Sequence, residues 1–240
     1  ASIHTYAGRT IIEFEPVTTI PDGNKPLLLV RTILDRMQQA SSVLDACAIV
    51  ANQLKLLIGF DRVMIYRFLD DGSGSVVAES VGTGLQSYLG HHYPASDIPQ
   101  QARALYVKNW LRVIADVNAS SVPLLAHAPG DTPVDLSYCS LRSVSPIHIE
   151  YLRNMDVGAS LSVSIVVGGV LWGLIACHHA HPRVVPAEVR VATELFGQTL
   201  SLQLQSLQRI DVTRLLRAAR ERLDRIVSEL PASLALKESL

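Results

Sequence analysis

Apolar and polar positions along this chain recur at two periods, and the two periods divide it into strands and helices. From Arg62 to Phe68 the pattern alternates: Val63, Ile65 and Arg67 share one face, and Met64, Tyr66 and Phe68 the other. Asp70-Asp71-Gly72-Ser73-Gly74 then turns the chain into a partner strand over Ser75–Ser80. Leu161–Val167 and Val170–His178 alternate in the same way and are joined by Gly168-Gly169, a hairpin signal. Elsewhere the helical period takes over. Pro26 opens one helix where a missing amide costs nothing, with Leu27, Val30 and Leu34 on one side and Leu29, Ile33 and Met37 on the next. Ser42, with Asp45 three positions on, caps a second that runs through Val50, Leu54 and Leu57 to Gly59. From Pro186 the residues Val189, Leu195, Leu200, Leu204, Leu207, Val212, Leu215, Leu223, Ile226 and Leu230 return at mixed three- and four-residue steps, with no proline before Pro231. A helix of about 45 residues is about 65 Å long, more than the width of a domain, so its far end needs a partner.

Shorter pieces fill the gaps. Ser2–Glu15 reads as a hairpin around Ala7-Gly8-Arg9, the tail of a domain whose beginning lies elsewhere, and Glu15–Asn24 as the linker out of it. Pro99–Asn109 is a short helix and Val113–Val117 a short strand. Asn118–Asp135, with three prolines, is irregular, and Leu141–Met155 becomes helical after Pro146. The sum is an α+β fold: an antiparallel sheet with helices on one face, a ligand pocket on the other, and a long C-terminal helix.

Composition narrows the function classes. Nearly half the residues are apolar, enough for a real core. A net charge of −1 offers no electrostatic case for nucleic acid. No run is long enough for a membrane span, and no leader pattern opens the chain. The three cysteines, Cys47, Cys139 and Cys177, are scattered and form no CxxC pair, which points to a reduced, cytoplasmic setting. No nucleophile–base pair, Gly-rich phosphate loop or metal-ligand spacing supports an enzyme.

The candidate chemistry sits on loops and strand faces. Tyr93-Pro94-Ala95-Ser96-Asp97-Ile98-Pro99 holds an aspartate on a rigid bend, because neither proline fits a helix interior or a central strand. Asp97 is either a helix-capping turn residue or a presented functional group. Ser160, Ser162 and Ser164 share a face opposite Leu161, Val163 and Ile165; Trp172, Leu174, Ala176 and His178 share one opposite Leu171, Gly173, Ile175 and Cys177. The serine row suits solvent and a polar ligand equally well. Cys177 and His178 point to opposite faces, which argues against a shared metal ion.

The Asp97 bend, the run Arg142-Ser143-Val144-Ser145-Pro146-Ile147-His148 and the run Leu171–His179 together resemble the photosensory module of bacterial phytochromes. That resemblance implies that residues 1–24 are the remnant of a PAS domain and its linker. It makes 25–208 a GAF domain that binds biliverdin, a linear tetrapyrrole, and 209–240 a helical spine leading into a PHY domain. It further implies that light isomerises the bilin and that the parent is a light-regulated histidine kinase whose output module is not in this chain. By the same resemblance Asp97 meets the pyrrole NH groups, His148 stacks near the inner rings, and His178 bonds the carbonyl of the rotating ring. Tyr66, Tyr93 and Tyr151 line that ring's cavity. Arg112 and Arg142 clamp one propionate, Ser160 and Ser162 meet the other with His148, and Ile98, Pro99 and Tyr106 complete the implied contacts.

Two positions depart from the family pattern. The thiol that anchors the pigment is expected ahead of the PAS domain or in place of Ile147; neither is found, so non-covalent binding is expected, with Cys139 the nearest substitute. Asp156 stands where the family has glycine, which strains the backbone if that position needs a positive φ. A homodimer through the C-terminal helix is expected, tested at Leu204, Leu207 and Leu215. A GAF domain for another ligand, such as a cyclic nucleotide, or one used only for dimerisation, is the alternative, since two arginines grip a phosphate as well as a propionate.

Overall fold

The computed structural model describes residues 1–16, 26–125, 128 and 130–229. Its elements run β1 (Ser2–Tyr6), β2 (Arg9–Glu13), α1 (Pro26–Gln38), α2 (Val43–Ile58), β3 (Arg62–Phe68), β4 (Gly74–Val81), β5 (His92–Tyr93), α3 (Gln100–Lys108), β6 (Leu111–Ile114), α4 (Pro146–Asn154), β7 (Ala159–Val167), β8 (Val170–His179) and α5 (Ala187–Glu229). β1 and β2 form a separate hairpin, and the other strands form one antiparallel sheet in the order β5-β4-β3-β8-β7-β6. Most of the expected linker lies outside the described residues.

Local chemistry explains the boundaries. Ser42 accepts the Asp45 amide at 3.1 Å, and the Asp45 carboxylate accepts the Ser41 amide at 2.9 Å, so one amide in the first turn of α2 and one just ahead of it are satisfied. Gly59, at φ 65°, ends it by donating to the Lys55 carbonyl. Gly168 and Gly169 both have positive φ, as the tight β7–β8 turn demands. Asp156 does adopt a positive φ, 55°, the strained position anticipated for it.

Helices α2 and α5 cover one face of the sheet, and α1 packs against both of them. Cys47, Val50 and Leu54 of α2 and Phe196, Leu200 and Leu204 of α5 meet Val63, Leu161, Val163, Ile165, Ile175 and Cys177 of the strands in one core. α5 approaches β7 closely because residue 197 is glycine; a Cβ there would lie 2.4 Å from the Val163 side chain. The Ser201 hydroxyl then accepts the Val166 amide at 2.9 Å, at the bulge where the β7–β8 register shifts.

Three expectations need correction, and two short elements were not foreseen. The strand placed at Val113–Val117 lies two to three residues earlier, and Val117 instead donates to the Gly158 carbonyl at 2.8 Å. Trp172 does not share the His178 face. It is the extra residue of the β8 bulge and packs on the helix side, with Arg67 over its ring at 5.5 Å. Leu204 and Leu207 are buried in the domain's own core, so they cannot form a dimer seam, whereas Leu215 is exposed. The two-residue β5 and the short 3-10 turn at Ala95–Asp97 had no periodic signal to reveal them.

Candidate functional site

The sheet face away from α1, α2 and α5 carries polar groups in register. Arg62, His178 and Ser160 are neighbours across β3, β8 and β7; one step along, Ser162 of β7 stands opposite Arg112 of β6. Helix α4 covers this end of the sheet through Leu152 and Ile149, which pack with Ile114, Val117 and Val157. It presents His148 and Tyr151 one turn apart, their rings parallel within 11° at 6.4 Å. From α3 the buried Tyr106 places its ring under the Arg112 guanidinium at 4.3 Å, and its carbonyl accepts the Ser164 hydroxyl at 2.6 Å.

Four basic groups converge here with few acceptors. The Nε and one terminal nitrogen of Arg112, one terminal nitrogen of Arg142 and Nδ1 of His178 are covered and have no protein partner. Another Arg142 nitrogen donates to the Cys139 carbonyl at 2.5 Å. Burial lowers the proton affinity of both guanidinium groups, and the charge of Arg112 lowers that of Arg142 further. Burial, then the Arg112 charge, also pushes His148 below the usual histidine range. His178 drops to about 4 through burial, then the charges of Arg62 and His148. Covered donors without acceptors are costly, so this end of the site is built for an anion.

The acid response of the fold follows from these imidazoles. Unfolded His178 takes its proton near pH 6.5 and native His178 near 4. Between those values the unfolded chain binds more protons, so stability falls as pH drops from 6.5 toward 4. Urea midpoints measured across that window should decline, and His178→Gln should flatten the decline.

Adjoining these groups through the His148–Tyr151 stack is a tyrosine-lined cleft around the Asp97 bend. Asp97 lies exposed on the 3-10 turn, Ile98 follows half-buried, and Pro99 caps α3. Arg103 fastens the bend by donating to the carbonyls of Ile98 at 2.7 Å, Gly72 at 2.5 Å and Ala95 at 3.2 Å, with its plane over Phe68. The Tyr66 and Tyr93 rings are 5.9 Å apart. Burial raises the Tyr66, Tyr93 and Tyr151 hydroxyls above the usual tyrosine range, and the Asp97 carboxylate adds to the rise in each. Tyr66 keeps its place because residue 74 is glycine; a Cβ there would lie 2.1 Å from its ring.

The structure thus brings Arg112, Arg142, His148, His178, Ser160 and Ser162 together, and Tyr151, stacked on His148, links them to Asp97, Tyr66 and Tyr93. Tyr106 supports Arg112 from behind. The sequence reading missed Arg62, Glu79 and Arg103. Arg62 has the same strand parity as Met64 and Tyr66, a signal that already placed it on the pocket face. No cluster of metal-ligating side chains occurs among the described residues. The three thiols are free and buried. Burial raises Cys47 to about 12 and Cys177 higher still. Cys139 lies 3.9 Å from His4 of the hairpin, and burial and then the Glu13 carboxylate raise it too. A separate cavity of about 280 Å³ lies between the hairpin and Thr132–Asp135, and none of the site residues named above lines it.

Sequence and fold both match known proteins. The GAF domain family matches residues 42–204. A bacteriophytochrome of Pseudomonas aeruginosa is 44% identical over 222 residues, which cover 91% of this chain and 30% of that protein. The chromophore-binding domain of the Stigmatella aurantiaca bacteriophytochrome superposes with a TM-score of 0.80 at 44% identity, over 84% of this chain and 67% of that one. A bacteriophytochrome from R. palustris superposes at 0.86 with 40% identity, over 95% and 46%. The chain spans about a third of the length of such curated relatives, 30% and 34% for two bacteriophytochromes. It belongs to the GAF domain family and is homologous to bacteriophytochromes over most of its length.

Proposed function

We propose that this chain is the bilin-binding part of a red/far-red photoreceptor and that biliverdin is its chromophore. The observation that carries the reading is the pair of covered guanidinium groups, Arg112 and Arg142, with donors left over on the pocket face. A linear tetrapyrrole supplies the conjugated, light-absorbing system, two propionates and a bond that isomerises in light. The residues fit such a ligand. Arg112 and Arg142 hold one carboxylate, since a guanidinium fork matches it bidentately. Ser160, Ser162 and His148 offer hydroxyl and imidazole donors to the second. His178, neutral at physiological pH, can donate to a ring carbonyl without adding charge. The bend at Asp97, Ile98 and Pro99 offers a backbone acceptor and a carboxylate to ring NH groups, and Tyr66, Tyr93 and Tyr151 shape the cleft beside it.

The role is sensing rather than catalysis. Residues 1–24 serve as the end of a PAS domain, 25–208 as the GAF unit, and 209–240 as the spine toward a PHY domain and a histidine kinase output, in the cytoplasm. No helix among the described residues is long and apolar enough to cross a membrane. The test is colour. Protein mixed with biliverdin should turn blue-green with a strong red band that red light bleaches and far-red light restores. Absence of the band, together with tight binding of a cyclic nucleotide, would replace this reading with a nucleotide-binding one.

Attachment is read as non-covalent for the three cysteines present, each of them buried and protonated. Denaturing electrophoresis with zinc-induced fluorescence should show no band at the protein's mass. A band lost in Cys139→Ser would identify that thiol as the anchor instead.

A homodimer through α5 completes the proposal. Val191, Leu195, Leu202, Val212, Leu216, Leu223 and Ile226 follow a three-four spacing along the face turned away from the core, and all are exposed. Sedimentation should give a dimer that Leu216→Glu with Leu223→Glu converts to monomer. A parent protein that stays monomeric at high concentration contradicts it.

A further inference from the structure

Arg62 is buried, with 7% of its surface exposed, and stands opposite His178 across the β3–β8 ladder. None of its recorded hydrogen bonds goes to the imidazole. One guanidinium nitrogen meets the Glu79 carboxylate and another donates to the Gln86 carbonyl at 2.5 Å. The plane lies 3.9 Å from the centre of the Tyr88 ring. Glu79 of β4 is almost wholly covered, and its carboxylate also accepts the Tyr88 amide at 3.0 Å and the Ser87 hydroxyl. The segment between β4 and β5 is otherwise tied to the sheet near its ends, by the Gly82 amide on the Asp61 carbonyl at 2.7 Å and the Gly90 amide on the Val76 carbonyl at 2.9 Å. It leads directly into Tyr93 and the Asp97 bend.

A buried ion pair is a poor choice for holding a loop, because desolvating both ions offsets most of their attraction. Apolar side chains would serve as well. The charge is informative for another reason: it lies on the ligand-facing side of the sheet. We propose that Arg62 and Glu79 form a positioning pair for the tyrosine-lined end of the site, holding Gly82–His91 against the sheet and setting a fixed positive charge beside His178. The purpose of the pair rests on the bilin-binding reading above; its physical effect does not.

The charged neighbours of His178 are Arg62 from β3 and His148 from α4, with Glu79 of β4 behind Arg62; Ser160, opposite on β7, carries no charge. Arg62 therefore opposes protonation of His178, and Glu79 moderates it. A neutral ring keeps one donor and one acceptor nitrogen. Tyr93 feels both members of the pair, with opposite signs. The pair thus couples the imidazole to the tyrosine cleft through charge.

The discriminating experiment follows the His178 ring by nitrogen NMR through a pH titration of the pigment-free protein. Arg62→Gln should raise the proton affinity of His178 about tenfold, by removing the adjacent cation. Glu79→Gln should lower it, by leaving that cation uncompensated. A pair that only staples the loop would admit water in either variant and raise the affinity in both; shifts of one sign overturn the proposal. Should Arg62→Gln not fold, the near-isosteric Glu79→Gln decides alone: a lowered affinity supports the pair, and an unchanged or raised one overturns it. Biliverdin added to the parent protein provides the separate control. No red band there withdraws the bilin-binding reading, while the ring titrations still decide the pair.

Discussion

Arg112→Leu is expected to weaken biliverdin binding by about a hundredfold or more, while raising the melting temperature of the pigment-free protein. The two effects have opposite signs because the same atoms cause both. Without ligand, two Arg112 nitrogens are covered and unpartnered, and burial already strains the charged form. Leucine keeps the aliphatic packing and removes the desolvated charge. It also loses the contact over Tyr106, worth about 1 kcal/mol. The effective penalty for a fully buried ion is several kcal/mol, and the half-buried Arg112 bears enough of it to outweigh that contact, so the net change favours the folded state. For a chain of this size each kcal/mol gained shifts melting by about 2–4 °C. With ligand the balance reverses, because a carboxylate would lose one side of its clamp. Calorimetric melting and pigment titration of the same preparation measure both. A variant that melts lower and binds normally would remove Arg112 from the site.

Asp97→Ala should leave fold and pigment uptake nearly intact while reducing light-driven conversion several-fold and raising fluorescence. The separation follows from how the bend is built. Its backbone is held by Arg103, through the carbonyls of Ala95 and Ile98, and not by the Asp97 side chain, which is exposed. Exposed substitutions away from caps and cores change stability by about 0.5 kcal/mol or less. The carboxylate nevertheless acts on Tyr66, Tyr93 and Tyr151 together, so its charge reaches the whole cleft. Removing it takes away an acceptor and a negative charge at the end where conversion is proposed to be read. Photoproduct amplitude and fluorescence yield decide the matter, and an unchanged amplitude would withdraw the role. Arg103→Ala provides the contrast: it should loosen the bend and lower pigment affinity as well.

Much of the site was legible because its chemistry lies on residues whose local rules are strong. Prolines on both sides of Asp97 force a bend. Strand parity puts Ser160, Ser162 and His178 on the face opposite Leu161, Ile175 and Cys177, and the buried core confirms that division. The functional assignments came from resemblance, since a serine row alone fits solvent equally well. What stayed hidden was the partnership of Arg62 with Glu79 and of Arg103 with three carbonyls. No periodicity records which buried polar group satisfies which.

The chain by itself determined its longer elements and most of their faces. Caps at Ser42 and Gly59, paired glycines at the β7–β8 turn and a proline-free run to Pro231 act over a few residues, and neighbours in sequence suffice to express them. Packing settled which face meets which neighbour. On α5, two apolar stripes run along one helix, and only the fit of Gly197 and Leu204 against β7 and α2 assigned one to the core and left Val191, Leu195, Leu202 and Leu216 outside. The β7–β8 bulge likewise moved Trp172 to the helix side, against simple alternation. Arg112 from β6 and Arg142 from an irregular segment come together only when the sheet is formed and α4 closes over its end, because burial and long-range pairing are properties of the folded assembly of elements rather than of any one of them.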